Sequence, residues 1–475
     1  MSQNAQLRSR DPGGLGLHSV ASEPMVSAPP AAISHDRAPK LTLGQLRPGS
    51  REWLLARQGW LGFAGLLLTG ALVSLSAAHT NLLLPASVRP VPDSLAGAFG
   101  QGGIDLGLGG LIAILTAMFV FYIALVRGAH QLSARAVLIG IACLNLLVFL
   151  APPLFSTDIF SYMAYGRIGA MYGFNPYLSG PSAIFLDPVY PFIATQWVTT
   201  PTAYGPLFTV LSYAFAPLTI AANVVAYKSI AAISSLAIVF LVWNIARLRG
   251  LNPVKAVAIV GLNPVIIVYG VGGGHNDLLM LAILLTGVYV LLQQKERASG
   301  ALIVTAAAVK LTAGLMLPFA LAQSARDRSG ALRRRAMLTG AGIAAGIFGV
   351  LSFAAFGTGP LHLPGTLQSI QGKGGLHSVA GAILTAFGHV EAMSVVGIVL
   401  EVVLVGLLVW LVRRVWRGEL DWITGAGWAT VAMLGTTSLL VPWYVAWVVP
   451  LAALSKDRRL LIATVALTGL ALTTL

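Results

Sequence analysis

The sequence predicts an all-α integral membrane protein, and three observations support that fold class. Of the 475 residues, 56% are hydrophobic and only 10% are charged, whereas soluble domains carry about a quarter charged residues. Several stretches run for about 20 apolar residues, the length that crosses the hydrocarbon core of a bilayer. The Lys and Arg residues fall in short segments between these stretches, as they do at the cytoplasmic ends of membrane helices.

The charge and cysteine content exclude several classes of partner and site. The formal net charge of +14 does not indicate nucleic acid, because the basic residues form no separate domain and follow the membrane pattern. The single cysteine, Cys143, lies in an apolar stretch and excludes both an intrachain disulfide and a multi-cysteine metal site. The acidic residues expected outside are few and do not form a spaced ligand cluster, so no metal is predicted.

Residues 1 to 50 are predicted to be a disordered tail. They are rich in Pro, Ala, Ser and Arg and lack apolar periodicity, which is typical of disordered segments. They contain no apolar core of a cleaved signal peptide, and their arginines predict a cytoplasmic N-terminus. The membrane domain is expected over 51 to 475; the sequence stops in an apolar stretch, as a truncated C-terminus would.

The first half of the membrane path leads to a long outer loop. Three spans are predicted, at about 59 to 79, 104 to 126 and 136 to 152. Arg127, His130 and Arg135 predict that the turn between the second and third spans is cytoplasmic. The loop at about 153 to 206 is then extracytoplasmic. Because it is long and contains Pro, Tyr and Trp, we expect it to carry function.

Two later apolar regions are predicted to be broken. Residues 207 to 246 start outside and end at basic residues, which predicts a short re-entrant or interfacial piece up to Pro217. One long span from about 220 to 246 then follows, with Lys228 in its outer half. Residues 299 to 323 have basic residues at both ends, which predicts two short helices that meet at an outer tip near Lys310. Such breaks are tolerated only where they are buried in protein or line a cavity.

The remaining spans bring the predicted total to roughly 11 to 13 membrane helices. They are expected at about 254 to 271, 276 to 293, 336 to 356, 392 to 412, 422 to 440, 442 to 454 and 459 to 475. A second outer loop, about 357 to 391, should include an interfacial helix at 378 to 390. Its Gly-rich part, 357 to 378, is predicted either as a plain flexible loop or as a lid that brings His362, Lys373 or His377 to an acceptor.

The stretch after the third span, "STDIFSYMAYGRIGAMYGFNPY", predicts a helix over 157 to 172. Helical spacing places Asp158, Tyr162 and Tyr165 on one face, and apolar residues with Arg167 on the other. This pattern predicts an interfacial helix on the outer leaflet, with Arg167 reaching the headgroups. The alternative is that Asp158 is only an N-cap and the tyrosines only an aromatic belt.

Four segments in this order carry a family resemblance: the stretch just quoted, "WVTTPTAYGPLF", "VGGGHNDLLMLAILL" and "AAAVKLTAGLMLPF". Together they resemble the actinobacterial polyprenol-phosphate-mannose-dependent α-(1→6)-mannosyltransferases, from about residue 55 to the end. The resemblance implies the GT-C glycosyltransferase fold, with an essential acidic residue in an early outer loop, where Asp158 lies. In many GT-C enzymes this acid follows the first membrane helix, whereas here it follows the third.

The resemblance also implies a reaction. Mannose would pass from a polyprenyl-phosphate-mannose donor to a lipid-anchored mannan acceptor, in lipomannan and lipoarabinomannan synthesis at the outer face of the plasma membrane, without a cofactor. A β-linked donor and an α-linked product require inversion, for which one direct displacement suffices. Asp158 is then the predicted general base that takes the proton of the acceptor hydroxyl.

Further site residues follow from charge and position. The donor phosphate needs cations at the outer leaflet, and the candidates are Lys310, Lys228 and Arg167. Intramembrane lysines usually have a function, although a snorkelling side chain on a tilted helix is the alternative. The predicted sugar- and acceptor-binding residues are Tyr162, Tyr165, Tyr177, Tyr204, His275, Asn276 and Asp277.

Each of these sugar-binding candidates has a purely structural alternative. Asn276 or Asp277 would serve as the cap of the following helix, whereas His275 is not needed for capping. Tyr177 and Tyr204 lie in sequences typical of turns. The segment "WYVAW", residues 443 to 447, is interpreted as an aromatic belt.

Other functions stay open on sequence alone. A transporter or lipid flippase would also have broken helices with polar residues at mid-depth, but no internal repeat is visible and the first outer loop is long. A sensor or assembly scaffold of the cell-envelope machinery is a further alternative. A GT-C transferase of another prenyl-phosphate sugar, such as arabinose or glucose, is the nearest one.

Overall fold

The computed structural model describes residues 44, 47–77, 81–324, 330–372, 378–388 and 393–473. Within these ranges every regular element is a helix and no strand occurs. The predicted all-α class is therefore confirmed. Almost all of the predicted 1–50 tail lies outside the described residues.

The N-terminal part is built from three helices, α1 (Arg51–Ala77), α2 (Gly107–Gly128) and α3 (Ala134–Leu150). The helices α1 and α2 approach closely because glycines face each other. A Cβ on Gly59 would lie 2.7 Å from the carbonyl oxygen of Gly128. Small residues allow this kind of close packing between membrane helices.

The predicted short piece and the long span are both present as helices, and the re-entrant or interfacial position of the short piece stays a prediction. A short helix, α4 (Asp158–Ala170), follows α3, and after a long loop come α5 (Pro206–Phe215) and α6 (Ile220–Leu248). Pro206 begins α5 and Thr219 caps α6, where its hydroxyl accepts a hydrogen bond from the backbone N–H of Ala222. The two helices are thus separate elements, as the charge pattern predicted.

The central part contains the predicted break at Lys310. After α7 (Pro253–Gly261) and a π-helix at Val265–Val271, which bend by 49° at their junction, α8 (Asp277–Leu292) and α9 (Glu296–Val309) follow. Lys310 has extended backbone angles, φ −150° and ψ 122°. A 3-10 helix, Leu311–Leu315, and α10 (Met316–Gln323) continue from it.

The C-terminal part contains seven more helices: α11 (Gly330–Phe356), α12 (Leu363–Gly372), α13 (Val379–Ala386), α14 (Met393–Trp416), α15 (Trp422–Thr436), α16 (Val449–Ala453) and α17 (Arg458–Thr473). The Gly-rich stretch predicted as a loop or lid is largely helical, since a 3-10 helix at Gly359–His362 leads directly into α12. Lys373 and His377 lie outside the described residues.

Membrane-spanning character is also confirmed. Five of the described helices are long and apolar enough to cross a bilayer, and six if the bent pair α7 and the π-helix counts as one span. Several shorter apolar helices, among them α3, α5 and α8, add to the bundle. The total of roughly 11 to 13 membrane helices stays a prediction.

The predicted surface position of α4 is wrong. Its supposedly lipid-facing residues are enclosed by protein: Phe160 is 0% exposed, Met163 1% and Arg167 6%. The opposite face is equally covered, with Tyr162 at 0%. Helix α4 therefore packs inside the bundle, mainly against α5, and does not lie on the outer leaflet.

Candidate active site

Asp158 is the first residue of α4, and its carboxylate is not a helix cap. Thr157 occupies the N-cap position without a side-chain hydrogen bond. The Asp158 carboxylate instead faces the interior of the bundle. There Oδ2 lies 3.4 Å from the Tyr204 hydroxyl, which donates to it, and 3.5 Å from Nδ1 of His275. With an 18% exposed side chain, Asp158 is the partly accessible acid of this region.

The surroundings of Asp158 favour its protonated form more than water would. Burial raises the pKa of the Asp158 carboxyl to about 6, the negative charge of Asp277 adds to the rise, and the positive charge of Lys310 counteracts it. A base is most effective when its pKa lies near the working pH. Asp158 therefore combines access with a basicity suited to proton transfer.

A second acid, Asp277, lies deeper and is fully engaged. Its Oδ1 accepts hydrogen bonds from Nζ of Lys310 at 2.7 Å and from Nε1 of Trp447 at 2.6 Å. The other oxygen, Oδ2, is 4.0 Å from Nδ1 of His275 and has no hydrogen-bond partner among the described residues. Asp277 begins α8, but it binds these side chains and does not cap the helix.

His275 connects the two acids. It lies in the turn between the π-helix and α8, is 1% exposed, and approaches both carboxylates with the same nitrogen. Its ring stacks on Trp443 at a centroid distance of 4.0 Å and an interplanar angle of 24°. Neither ring nitrogen has a hydrogen-bond partner in the described chain. A buried imidazole without hydrogen bonds costs free energy, which a hydrogen-bonding group placed beside it would reduce.

The next residue, Asn276, joins the site through Tyr162. The Tyr162 hydroxyl donates to Oδ1 of Asn276 at 3.4 Å, and no side-chain capping bond is made by Asn276. The amide nitrogen Nδ2 of Asn276 is buried without a partner among the described residues. The Tyr162 ring packs edge-on against Tyr204 at 4.9 Å, so both tyrosines belong to the wall around Asp158.

The aromatic segment at residues 443–447 was misinterpreted from sequence. A 3-10 helix, Pro442–Trp447, turns these side chains into the bundle. Nζ of Lys310 lies 4.7 Å from the centroid of the Tyr444 ring and 5.2 Å from that of Trp447. Together with the stacking of Trp443 on His275 and the bond from Trp447 to Asp277, this makes the segment a wall of the site and not an aromatic belt.

Lys310, at the break between α9 and the 3-10 helix, is 8% exposed. Its ammonium group is bound to Asp277 and flanked by two aromatic faces, which stabilise a cation. An ammonium group has three donors. Lys310 is therefore a fixed cation at the centre of the site.

Lys228 is placed differently. It is 1% exposed, and Nζ donates to the carbonyl oxygens of Ala151 and Pro152, the latter at 3.2 Å. These carbonyls belong to the segment that leads from α3 to Asp158. These contacts indicate that Lys228 holds this segment in place. They fit that structural role better than they fit the predicted role of a phosphate ligand.

Arg167 does not reach a headgroup, because its guanidinium is enclosed. It pairs with Asp187 at 2.7 Å and donates to the carbonyl oxygen of Leu218 at 2.9 Å. Asp187 also accepts a hydrogen bond from the Tyr172 hydroxyl at 3.0 Å. This geometry does not fit the predicted phosphate role, and Arg167 instead fastens the outer loop to the connection between α5 and α6.

Tyr165 and Tyr177 also use their hydroxyls within the protein. Tyr165 donates to the carbonyl oxygen of Thr200 at 3.0 Å, and Tyr177 to that of Tyr204 at 2.9 Å. Tyr177 is 1% exposed and packs on Phe356. Both residues therefore shape the loop that carries Tyr204, and their predicted contact with sugar has no support in these bonds.

The assembled site offers acid–base and cationic groups of definite kinds. A partly exposed carboxylate, an unpartnered imidazole and a fixed ammonium group lie side by side among aromatic rings. Among the described residues no group of three or more His, Cys, Asp or Glu side chains is arranged to hold a metal ion. The arrangement is suited to taking a proton from a hydroxyl and to balancing the charge of an anion.

Comparison with known families places this chain among glycosyltransferase sequences. A family model described as the N-terminal domain of alpha-(1->6)-mannopyranosyltransferase matches residues 58–326. A second one, described as the MptB C-terminal domain, matches residues 372–475. The first match includes every residue from Asp158 to Lys310 that builds the site, and the second includes Trp443 to Trp447. No solved structure matches the chain.

Curated relatives agree with the family models. The chain is 31% identical over 344 residues to alpha-(1->6)-mannopyranosyltransferase A of Mycobacterium tuberculosis, covering 67% of this chain and 65% of that protein. It is 28% identical over 352 residues to alpha-(1->6)-mannopyranosyltransferase A of Corynebacterium glutamicum, covering 66% of this chain and 69% of that protein. The family model matches residues 58–326, which is more than half of this chain. The chain therefore belongs to the alpha-(1->6)-mannopyranosyltransferase family.

Proposed function

We propose that this protein transfers mannose from polyprenyl-phosphate-mannose to a lipid-anchored mannan and forms α-1,6 links. Membership of the family and the names of the relatives support a mannosyl transferase. The observation that carries the proposal is the Asp158 carboxylate, which is partly exposed and lies against His275 and Tyr204. A transferase of this type needs a base at such a place.

The proposed chemistry is one inverting displacement. The acceptor hydroxyl attacks the anomeric carbon of the β-linked mannosyl phosphate, the bond from that carbon to the phosphate oxygen breaks, and the α-linked product forms. Asp158 takes the hydroxyl proton as the attack proceeds, which typically accelerates a reaction by about 10²- to 10⁴-fold. No covalent intermediate on the protein is required.

Lys310 is the proposed partner of the leaving phosphate. One of its three donors is bound to Asp277 at 2.7 Å, and two remain for phosphate oxygens. Because Asp277 and the aromatic rings hold the ammonium group in place, its charge is available without reorganisation as negative charge develops on the phosphate. Lys228 is bound to two backbone carbonyl oxygens and Arg167 to Asp187 and Leu218, so neither is assigned a part in this step.

The sugar hydroxyls are proposed to bind four buried polar atoms near Asp158 that have no hydrogen-bond partner in the described chain. These atoms are the two ring nitrogens of His275, Nδ2 of Asn276 and Oδ2 of Asp277. Each unmet hydrogen bond costs about 1–3 kcal/mol, and a bound sugar would remove part of that cost. Trp443 and Tyr204 offer ring faces and edges beside these atoms.

We also propose that the site faces the outside of the plasma membrane. Basic residues near the ends of α2 and α6 and at the start of α17, among them Arg127, Arg249 and Arg458, support a cytoplasmic location of those ends. Asp158 follows α3 at the opposite end. A lipid-linked donor reaches such a site from the outer leaflet, whereas a soluble nucleotide sugar would not.

The substrate assignment is tested with purified protein in detergent, supplied with a short α-1,6-mannoside acceptor. Prenyl-phosphate mannose, prenyl-phosphate glucose, prenyl-phosphate arabinose and GDP-mannose are compared as donors. We expect product only with prenyl-phosphate mannose, and digestion by an α-1,6-specific mannosidase should remove the added residue. Preference for another prenyl-phosphate sugar would correct the donor. If no product forms and vesicles containing the protein take up substrate along a gradient, the protein is a transporter and the proposed enzymatic function is wrong.

A further inference from the structure

A groove lies far from Asp158, among the ends of α1, α2, α7 and α17. It has a volume of about 720 Å³. The 17 residues of α3 separate its end of the bundle from the Asp158 loop, a distance of about 25 Å at 1.5 Å per helical residue. Its lining residues are Arg51, Leu55, Ile123, Val126, Arg127, His130, Lys255, Arg458, Leu461, Ile462 and Val465.

The rim of this groove is cationic. Arg51, Arg127, Lys255 and Arg458 come from four different helices, and no acidic side chain is among the lining residues. None of the four forms an ion pair or a side-chain hydrogen bond with another described residue. Four positive charges converging without a counterion repel one another, so an anion bound between them would be stabilised.

The wall of the groove is apolar. Leu55 comes from α1, Ile123 and Val126 come from α2, and Leu461, Ile462 and Val465 come from α17. Ile462 is 57% exposed, and it lies on a helix of the membrane bundle. A free phosphate ion would not contact the apolar walls favourably, and a neutral lipid would not neutralise the four cations. An amphiphilic anion matches both.

We propose that this groove binds an anionic phospholipid of the bilayer. Its phosphate contacts the cations contributed by α1, α2, α7 and α17, and an acyl chain lies along the apolar wall. By the distribution of basic residues this end of the bundle is cytoplasmic, and the cytoplasmic leaflet is the one rich in anionic lipids. The lipid joins four helices that are separate in sequence, and it is distinct from the donor proposed above.

Native mass spectrometry of the delipidated protein, titrated with phosphatidylglycerol or phosphatidylcholine, tests this inference. We expect one phosphatidylglycerol to bind at least about tenfold more tightly than phosphatidylcholine, since each Lys or Arg near an anionic headgroup contributes to its retention. The double variant Arg127→Gln/Lys255→Gln should weaken that binding by about thirtyfold. The control variant Arg335→Gln/Arg413→Gln removes two exposed charges outside the groove and should leave binding unchanged.

A third variant distinguishes a seated lipid from surface adsorption. Val126→Trp fills the groove without changing charge and should abolish the preference for phosphatidylglycerol. If this variant binds normally, or if the control pair loses as much binding as the groove pair, the proposal is wrong. If glycerol phosphate binds the wild type as tightly as phosphatidylglycerol does, the occupant is a soluble anion and the proposal is wrong. Equal binding of both lipids to wild type alone would also overturn the proposal, whatever the variants do.

Discussion

At the scale of single residues, the site divides its work between two aspartates in different environments. Asp277 is 1% exposed, and its Oδ1 accepts a hydrogen bond from Nζ of Lys310. Asp158 is partly exposed, and its Oδ2 lies 3.5 Å from Nδ1 of His275. Two carboxylates that differ in this way in exposure and in bonding partners are suited to different roles. These environments support the proposed roles of Asp158 as the base and of Asp277 as the partner that holds the cation.

The raised pKa of Asp158 predicts a pH profile. Below about pH 6 its carboxyl is protonated and cannot accept the proton of the acceptor, so kcat/KM should fall about tenfold per pH unit on the acid side. Above that pH the carboxylate is charged and kcat/KM should level off. The measurement is the initial rate at low substrate concentration from about pH 5 to pH 8. A rate that decreases as pH rises through 6 would mean that the titrating group acts as an acid.

The Asp277–Lys310 pair predicts an effect on stability that is not additive. Lys310→Met leaves a buried carboxylate without a counterion and should reduce the free energy of unfolding by about 3–5 kcal/mol. The double variant Asp277→Asn/Lys310→Met should recover most of that loss and still be inactive. Thermal unfolding and transfer assays on the wild type, Asp277→Asn, Lys310→Met and the double variant measure both effects.

The matched control for this cycle is the exposed pair of Arg414 and Glu419, 3.2 Å apart. Arg414→Gln should cost less than about 1 kcal/mol. If the double variant at Asp277 and Lys310 loses the sum of the two single effects, the groups do not interact as the structure indicates.

At the scale of elements, tight glycine contacts fix the direction of α4. A Cβ on Gly166 would lie 2.2 Å from the carbonyl oxygen of Ser212 on α5, and one on Gly205 would lie 2.2 Å from that of Ala308 on α9. Backbone atoms cannot yield as a flexible side chain would. These contacts therefore place Asp158, at the first turn of α4, against the turn that carries His275.

Gly166→Ala should push α4 away from α5. We expect a loss of about 1–3 kcal/mol in the free energy of unfolding, as for other overpacked sites, and a fall in kcat of about tenfold or more, because small displacements of catalytic groups are costly. Gly342→Ala is the control, since a Cβ there meets nothing within 4 Å. It should leave activity unchanged. Equal effects of the two substitutions would show that the α4–α5 contact does not position Asp158.

The course of a helical segment could be predicted from the sequence where basic residues lay at both of its ends. It was harder to predict where only the periodicity of apolar residues was available. The break at Lys310 followed from basic residues on either side of 299 to 323, because a single span cannot return to the same face. The surface position of α4 was wrong because a face of apolar residues fits a lipid leaflet and a protein interior equally well. The near-complete burial of Arg167 depends on its ion pair with Asp187, twenty residues further along the chain, and no local pattern reveals that pairing.

At the scale of the whole molecule, the site combines parts of the chain that are distant in sequence. Asp158, His275 and Lys310 were predicted as separate candidates. The family resemblance supported Asp158 and His275, whereas the depth of Lys310 followed from the charge pattern alone. Trp443 and Trp447 were missed, since an aromatic segment near a membrane surface is usually a belt. Pro442, which begins the 3-10 helix that turns these rings inward, was the one local signal. Contacts over about 170 residues require the tertiary structure.

The topology predicts which surfaces a membrane-impermeant maleimide reaches in intact cells. The single cysteine is first removed by Cys143→Ser. Leu186→Cys, at a site 83% exposed in the loop after α4, should be labelled without permeabilisation. Lys456→Cys, an exposed site between α16 and α17, should be labelled only after the cells are opened. The reverse pattern would place Asp158 in the cytoplasm and exclude a donor from the outer leaflet.

The most direct test of the account is the turnover of Asp158→Asn with prenyl-phosphate mannose and an α-1,6-mannoside acceptor. Asp105→Asn serves as control, because Asp105 is an exposed carboxylate in another loop. With thermal stability equal to wild type, Asp158→Asn should lose at least about a hundredfold in kcat, and the control should lose none. If Asp158→Asn turns over at the wild-type rate, Asp158 is not the base, and the proton must be taken by another group of the site.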